Sequence, residues 1–129
     1  MSAALEDVRT ELNTRCDTIE ECYEYMLAYA AQGLLSEGPQ IRGFLLRCDQ
    51  AIADLIGLST KFSGTLKMDA APLAAFLAVV QSDARASQAA VQLALARPVI
   101  VSQLVDNLNA SIHLRALLTD LFLLDEALK

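Results

Sequence analysis

The sequence predicts an all-α fold, an antiparallel up-and-down four-helix bundle. Three observations carry that prediction. Apolar residues recur at spacings of three and four along four long stretches, the mark of helices with one buried face. Five glycines and three prolines interrupt a chain of 129 residues, and Ala and Leu, the strongest helix formers, dominate it. No stretch shows the apolar–polar alternation, bounded by turns, that marks a strand. The length fits one domain over residues 1–129. Hydrophobic residues make up 54% and aromatic residues 5%, with no Trp, so aliphatic side chains fill a core that needs no staples.

The first helix is predicted from Ala3 to Leu35. Leu5, Val8, Leu12, Cys16, Ile19, Tyr23, Met26, Ala30 and Leu34 form its seam, with Ser2 as cap. Glu6, Asp17, Glu20, Glu21 and Glu24 fall on the opposite, solvated side. Gly38 is expected to end this helix in a left-handed turn, and Pro39 to open the next. The second helix is predicted from Pro39 to Thr60, with Ile41, Leu45, Cys48, Ile52 and Leu55 inward and Phe44, Ala51 and Leu58 widening that seam. The polar break 59–68 follows, with Phe62, Leu66 and Met68 folded back as a plug. The third helix starts at Asp69, an N-cap, with Pro72 in its first turn. Leu73, Leu77, Val80, Ala84, Ser87, Val91 and Leu95 face inward, with small Ala residues on either side.

Arg97-Pro98 interrupts the pattern, because a residue before proline avoids helical angles. The break is either a tight turn or a kink, and a kink leaves three long helices and favours oligomers. The fourth helix is predicted from Pro98 to Leu128. Leu114, Leu117, Leu118, Leu121, Phe122, Leu123 and Leu124 exceed one apolar stripe there. Either this helix is more central than its neighbours, or the surplus meets a second copy, most simply in a homodimer.

Ten basic residues against sixteen acidic ones give a net charge of −6, which repels phosphate backbones, and no Lys/Arg stripe offsets it. Nucleic acid is therefore not the expected partner. The N-terminal M-S-A-A-L-E-D-V-R-T-E-L has neither the basic nor the apolar region of a signal peptide. The apolar runs near residues 70–80 and 117–124 are shorter than the ~20 residues that span a bilayer. The expected setting is the cytoplasm, where three cysteines, an odd number, do not form a disulfide framework.

Few residues offer chemistry. His113 is the one histidine, so the paired Glu-x-x-His motifs of a ferritin-like di-metal centre are missing. Arg115 is the one basic neighbour a phosphate-accepting His113 has. No Gly-rich phosphate loop, nucleophile elbow or Cys-x-x-Cys pair occurs, and an enzyme is not expected. Cys16 and Cys22 are six residues apart, roughly 240° around a helix, so they cannot share a close site. One of them is placed to meet Cys48 across the first two helices, where a thiol pair suits Cu(I). The other reading makes each a small core residue. Thr18, Cys22, Tyr25 and Tyr29 run beside the main seam, either as a partner-facing edge with wet hydroxyls or as bundle-edge packing. Glu20, Glu21 and Glu24 are too few and too exposed for a hard cation.

The runs T-I-E-E-C-Y-E-Y-M-L-A-Y and S-E-G-P-Q-I-R-G-F-L-L-R-C resemble the first two helices of the bacterial four-helix copper-storage proteins, over about 50 residues. Those proteins line a bundle interior with cysteines that bind many Cu(I) ions. The resemblance implies a bundle fold and puts Cys22 and Cys48 on cysteine positions. Thr18, Tyr25 and Tyr29 stand where further thiols are expected, and the third and fourth helices hold none. Three thiols cannot store many ions.

The sequence-level expectation is a non-catalytic interaction or structural protein, self-associating, without a cofactor. It offers its first and fourth helices to partners through Tyr25, Tyr29, Leu117 and Leu124. The alternative is a Cu(I) binder that uses Cys22 and Cys48 with Cys16 nearby.

Overall fold

In a computed structural model, residues 3–65 and 70–129 are described, the side-chain surroundings of 62–65 and 70 excepted. The chain is all-helical. Among the described residues the elements are α1 (Ala3–Ala31), α2 (Ile41–Thr65), α3 (Ala70–Leu95), α4 (Ser102–Ala110) and α5 (His113–Ala127), with no strand. Helix α1 packs against α2, α4 and α5, and α3 packs against α2, α5 and α4. Arg15 of α1 pairs with Asp54 of α2 at 3.3 Å, and Gln92 of α3 donates to Asp49 of α2 at 3.1 Å. Arg9 near the start of α1 meets Asp125 near the end of α5 at 3.1 Å. Asn109 of α4 donates to the carbonyl of Met26, late in α1, at 3.3 Å. No described helix is long and apolar enough to cross a membrane.

The core repeats every seven residues rather than every three or four in free alternation. Leu12, Ile19 and Met26, with Cys22 and Tyr29, are buried on α1; Ile41, Cys48 and Leu55, with Leu45 and Ile52, on α2; Leu77, Ala84 and Val91, with Val80, Ser87 and Ala94, on α3. A straight helix turns 3.6 residues, so a heptad stripe winds slowly around it and keeps facing its neighbours. That drift corrects the predicted seam of α1. Cys22 and Tyr29 take the buried places expected for Tyr23 and Ala30, which are half-buried on the flank.

Helix α1 ends at Ala31, four residues before the expected Leu35, because Gly33 takes φ 64° and turns the chain. Gly38 does not hold the left-handed position. It is needed for close approach: a Cβ there would meet Cε2 of Tyr29 at 2.9 Å. Pro39 precedes α2, which starts at Ile41 and runs to Thr65, past the expected Thr60. Arg97-Pro98 is a turn, in the six-residue connection 96–101 between α3 and α4. The proposed caps at Ser2 and Asp69, Leu66 and Met68 of the plug, and the side chain of Phe62 lie outside the described residues.

The predicted fourth helix is two helices. Ile112 sits between them at φ 60° with its side chain 61% exposed. The cause is a phase slip in the sequence. α4 buries Ser102, Val105 and Leu108. A continuous heptad from Leu108 would bring Arg115, Phe122 and Lys129 inward. The buried residues are Leu114, Leu121 and Leu128, one place earlier. A single left-handed residue takes up that slip. A β-branched residue there costs ~1–2 kcal/mol of strain. The Ser111 hydroxyl bonds the Leu108 carbonyl at 2.6 Å and closes the end of α4.

Candidate functional site

Of the three cysteines, all buried and free, two meet. The Cys22 thiol donates to the Phe44 carbonyl at 3.3 Å and lies 3.7 Å from the Met26 sulfur. The Cys48 thiol of α2 is its neighbour. The heptad explains the meeting: Cys22 and Cys48 both occupy core places where α1 crosses α2. Cys48 is 0% exposed. The Cys22 hydrogen bond and burial push it far above the usual thiol range, so it stays protonated. Cys16, predicted nearby, does not join them. Its charged neighbours are Glu20, Asp17 and Asp125, and burial first, then those carboxylates, push it up to about 11. A buried, protonated thiol is a poor nucleophile. The Cys22 thiol nevertheless has two sulfur neighbours, Cys48 and Met26, and Met26 is the donor that counting cysteines missed.

The expected tyrosine edge is largely internal. Tyr25 is half-buried and stacks on Phe44 of α2, with centroids 4.1 Å apart and planes 14° apart. The Arg47 guanidinium covers the Phe44 ring at 4.5 Å. Tyr29 is 1% exposed; it is a core residue and not a partner-facing one. Its hydroxyl donates to the Ile100 carbonyl and accepts from the Gly38 N–H at 3.0 Å. Around it the loops 32–40 and 96–101 are clasped. Ser102 donates to the Tyr29 carbonyl at 2.7 Å and accepts from the Leu34 N–H at 2.8 Å. Arg42 grips both Glu37 carboxylate oxygens at 2.8 and 3.1 Å. It also donates to the carbonyls of Leu95 and Arg97, each at 2.9 Å, capping the end of α3. The Ile100 N–H donates to Glu37 at 3.0 Å. The Arg42 hydrogen bond, then that of Ile100, hold Glu37 below the usual carboxylate range. The clasp is structural.

Leu117 and Leu124, expected to face a partner, are 0% and 2% exposed inside the chain. The expectation fails because α5 contacts both α1 and α3, so most of its apolar girth is used internally. Phe122 and Leu123 remain, 51% and 57% exposed. Leu123 forms one wall of an apolar groove of about 400 Å³, with Pro72, Leu73 and Phe76 opposite on α3. Further along the same two helices, Asp83 and Asp120 face each other within hydrogen-bonding reach. Both are acceptors when ionised, so the buried Oδ2 of Asp120 has no donor and the pair bonds only by sharing a proton. Burial first, then Asp83, push Asp120 up to about 7. Neither carboxylate forms an ion pair with a Lys or Arg among the described residues. His113 is exposed at the start of α5. Among the described residues no three His, Cys, Asp or Glu side chains converge as a metal cluster.

The sequence pattern did contain a signal for the acid pair. Asp83 interrupts α3 seven residues after Phe76 and seven before Ala90, on a side otherwise apolar or small. No family model, no curated protein and no solved structure matches the chain.

Proposed function

We propose that the chain is an antiparallel up-and-down four-helix bundle, with α4 and α5 together as the fourth helix, and that it works without catalysis by binding another protein through α3 and α5. The supporting observation is the apolar groove walled by Phe76 and Leu123, with Leu123 more than half exposed. Exposed aromatic and aliphatic side chains around a concave apolar surface fit a helix-in-groove contact. This moves the expected contact from α1 to α3, since Phe44 and the clasp occupy the tyrosine edge. Three free thiols suit a reducing cytoplasm. The test is amide chemical-shift mapping of the ¹⁵N-labelled protein with a panel of amphipathic helical peptides, alongside light scattering. Shifts centred on Phe76, Leu123 and Ala127, and lost in Leu123→Glu, support the reading. A monomer that responds to no peptide at millimolar concentration refutes it.

A second reading is favoured by the sulfur cluster alone. Cys22 and Cys48 with Met26 offer two thiols and a thioether, donors that suit a soft ion of low coordination number such as Cu(I). A bound Cu(I) would displace the Cys48 proton, so uptake would weaken as pH falls. Anaerobic Cu(I) titration decides it: about one equivalent bound, lost in Cys48→Ser, supports the site, and no uptake removes it.

A further inference from the structure

Three features lie along one line of α3. Phe76, Asp83 and Ala90 are seven residues apart, so they share a face at steps of ~10.5 Å. At the first, Phe76 opens on the groove of about 400 Å³ against Leu123. At the second, Asp83 meets Asp120. At the third, Ala90 and Leu93 line a smaller depression of about 180 Å³ against Leu104 of α4, and Leu93 is 71% exposed. The face therefore reads apolar, acidic, apolar over ~21 Å. That is too long for one small molecule, and it matches four turns of a helix.

Resting on the protein-binding reading above, we propose that this α3 face docks an amphipathic helix of a partner protein carrying one Arg or Lys midway between two apolar anchors, its cation seated between Asp83 and Asp120. Charge complementarity selects the occupant. Two carboxylates in contact repel, and the Asp120 Oδ2 is buried without a donor. Arg115 lines the depression beside Asp120 and forms no ion pair with it. A guanidinium from outside supplies donors to both carboxylates at once, which is the geometry that Arg–carboxylate forks favour. Burial first, then the contact with Asp83, push Asp120 up to about 7, and an incoming cation offsets the part that comes from Asp83. A second copy of this chain is the poorer occupant. A two-fold contact here brings two such acid pairs together, and the whole chain carries −6.

The test uses the full chain and three fluorescein-labelled, lactam-stapled peptides of about 15 residues. Each has Leu at its first and last positions, a Lys–Glu pair closed as the lactam bridge, Ala and Gln elsewhere, and Arg, Gln or Glu at the centre. Fluorescence anisotropy should show the Arg peptide binding about tenfold more tightly than the Gln peptide, with the Glu peptide weakest and the Arg advantage shrinking in salt. Asp83→Asn/Asp120→Asn should bring the Arg and Gln peptides together, and Leu123→Glu should weaken all three. Equal binding of Arg and Gln peptides by the unaltered chain, still abolished by Leu123→Glu, overturns this proposal and leaves the groove reading standing. No binding of any peptide overturns both. Concentration-dependent dimers that Leu123→Glu disperses make the occupant a second copy and overturn the proposal.

Discussion

Tyr29→Phe removes one oxygen atom and tests the clasp directly. The ring keeps its place, 1% exposed, so no cavity forms and little apolar burial is lost. The change deletes the bond to the Ile100 carbonyl and the one accepted from Gly38. Ile100 is 0% exposed, so its carbonyl is left without a donor. Orphaning a buried carbonyl costs ~1–3 kcal/mol. The Gly38 N–H is half-buried and recovers part of its loss from water. The expected destabilisation is about 2 kcal/mol, read from urea unfolding at fixed m. For a chain of this size that is a fall in Tm of about 8 °C. Tyr25→Phe is the control, because its hydroxyl has no hydrogen bond in the chain among the described residues. It should stay within about 0.5 kcal/mol of the unaltered protein. A Tyr29→Phe loss no larger than the control's would refute the argument that this hydroxyl ties the two loops together.

Other outcomes follow from single residues. Ile112→Gly removes the left-handed strain at φ 60° and gives up little burial, so it should stabilise the chain by about 1 kcal/mol in the same unfolding assay. Ser87 is 0% exposed with an unpartnered hydroxyl, and Ser87→Ala should likewise gain about 1 kcal/mol. The acid pair sets a pH slope. Asp120 binds its proton more tightly folded, near 7, than its ordinary 3.8, so the folded state holds more protons between those values and stability falls as pH rises from about 4 to about 7. Asp120→Asn should flatten that slope in a urea-midpoint series. Glu37 shifts the other way. Its contribution is present above the usual carboxylate value and is lost as pH falls through the lowered one, and Glu37→Gln should remove that acid-side loss.

The core was legible wherever a residue's own helix decided its fate. The heptad places Leu12, Ile19, Cys48, Ile52 and Val80 are apolar, periodic and buried as expected. A thiol of α1 beside Cys48 was legible, but whether Cys16 or Cys22 supplied it was left open, because Cys22 lay off the predicted seam. What escaped depends on other helices. Leu117 and Leu124 looked surplus because a stripe is counted against one neighbour, and α5 has two large ones. Tyr29 looked amphipathic because its hydroxyl needed a wet partner, and the partners are backbone groups of two loops distant in sequence. The break at Ile112 carried a signal in the one-residue slip between Leu108 and Leu114. A continuous helix would have turned Arg115 into the core, and that conflict outweighs the strain at one residue.

The two ends of the molecule are built differently, and the difference argues for where a partner goes. Where α1 ends and α4 begins, Tyr29, Glu37, Arg42 and Ser102 satisfy the backbone groups of both loops. The exposed apolar residues near that end are Leu35 and Val99 on the loops and Leu27, Leu46 and Leu93 on the helices. Where α3 begins and α5 ends, the described contacts include the part-buried Arg9–Asp125 pair, the exposed Lys129–Glu126 pair and an apolar groove. An exposed Leu or Phe in water forgoes roughly 1.5–3 kcal/mol relative to burial. Leu123, at 57%, leaves about half of that unrealised at the groove. The hydrogen-bonded end exposes Leu35 and Val99 on its loops, whereas Leu123 lines a concave apolar wall, and a concave wall can bury a partner's incoming side chain on several sides. The acid pair then decides its charge: an apolar helix gains only at the two ends of the seam, whereas one with a central cation also relieves the contact between Asp83 and Asp120.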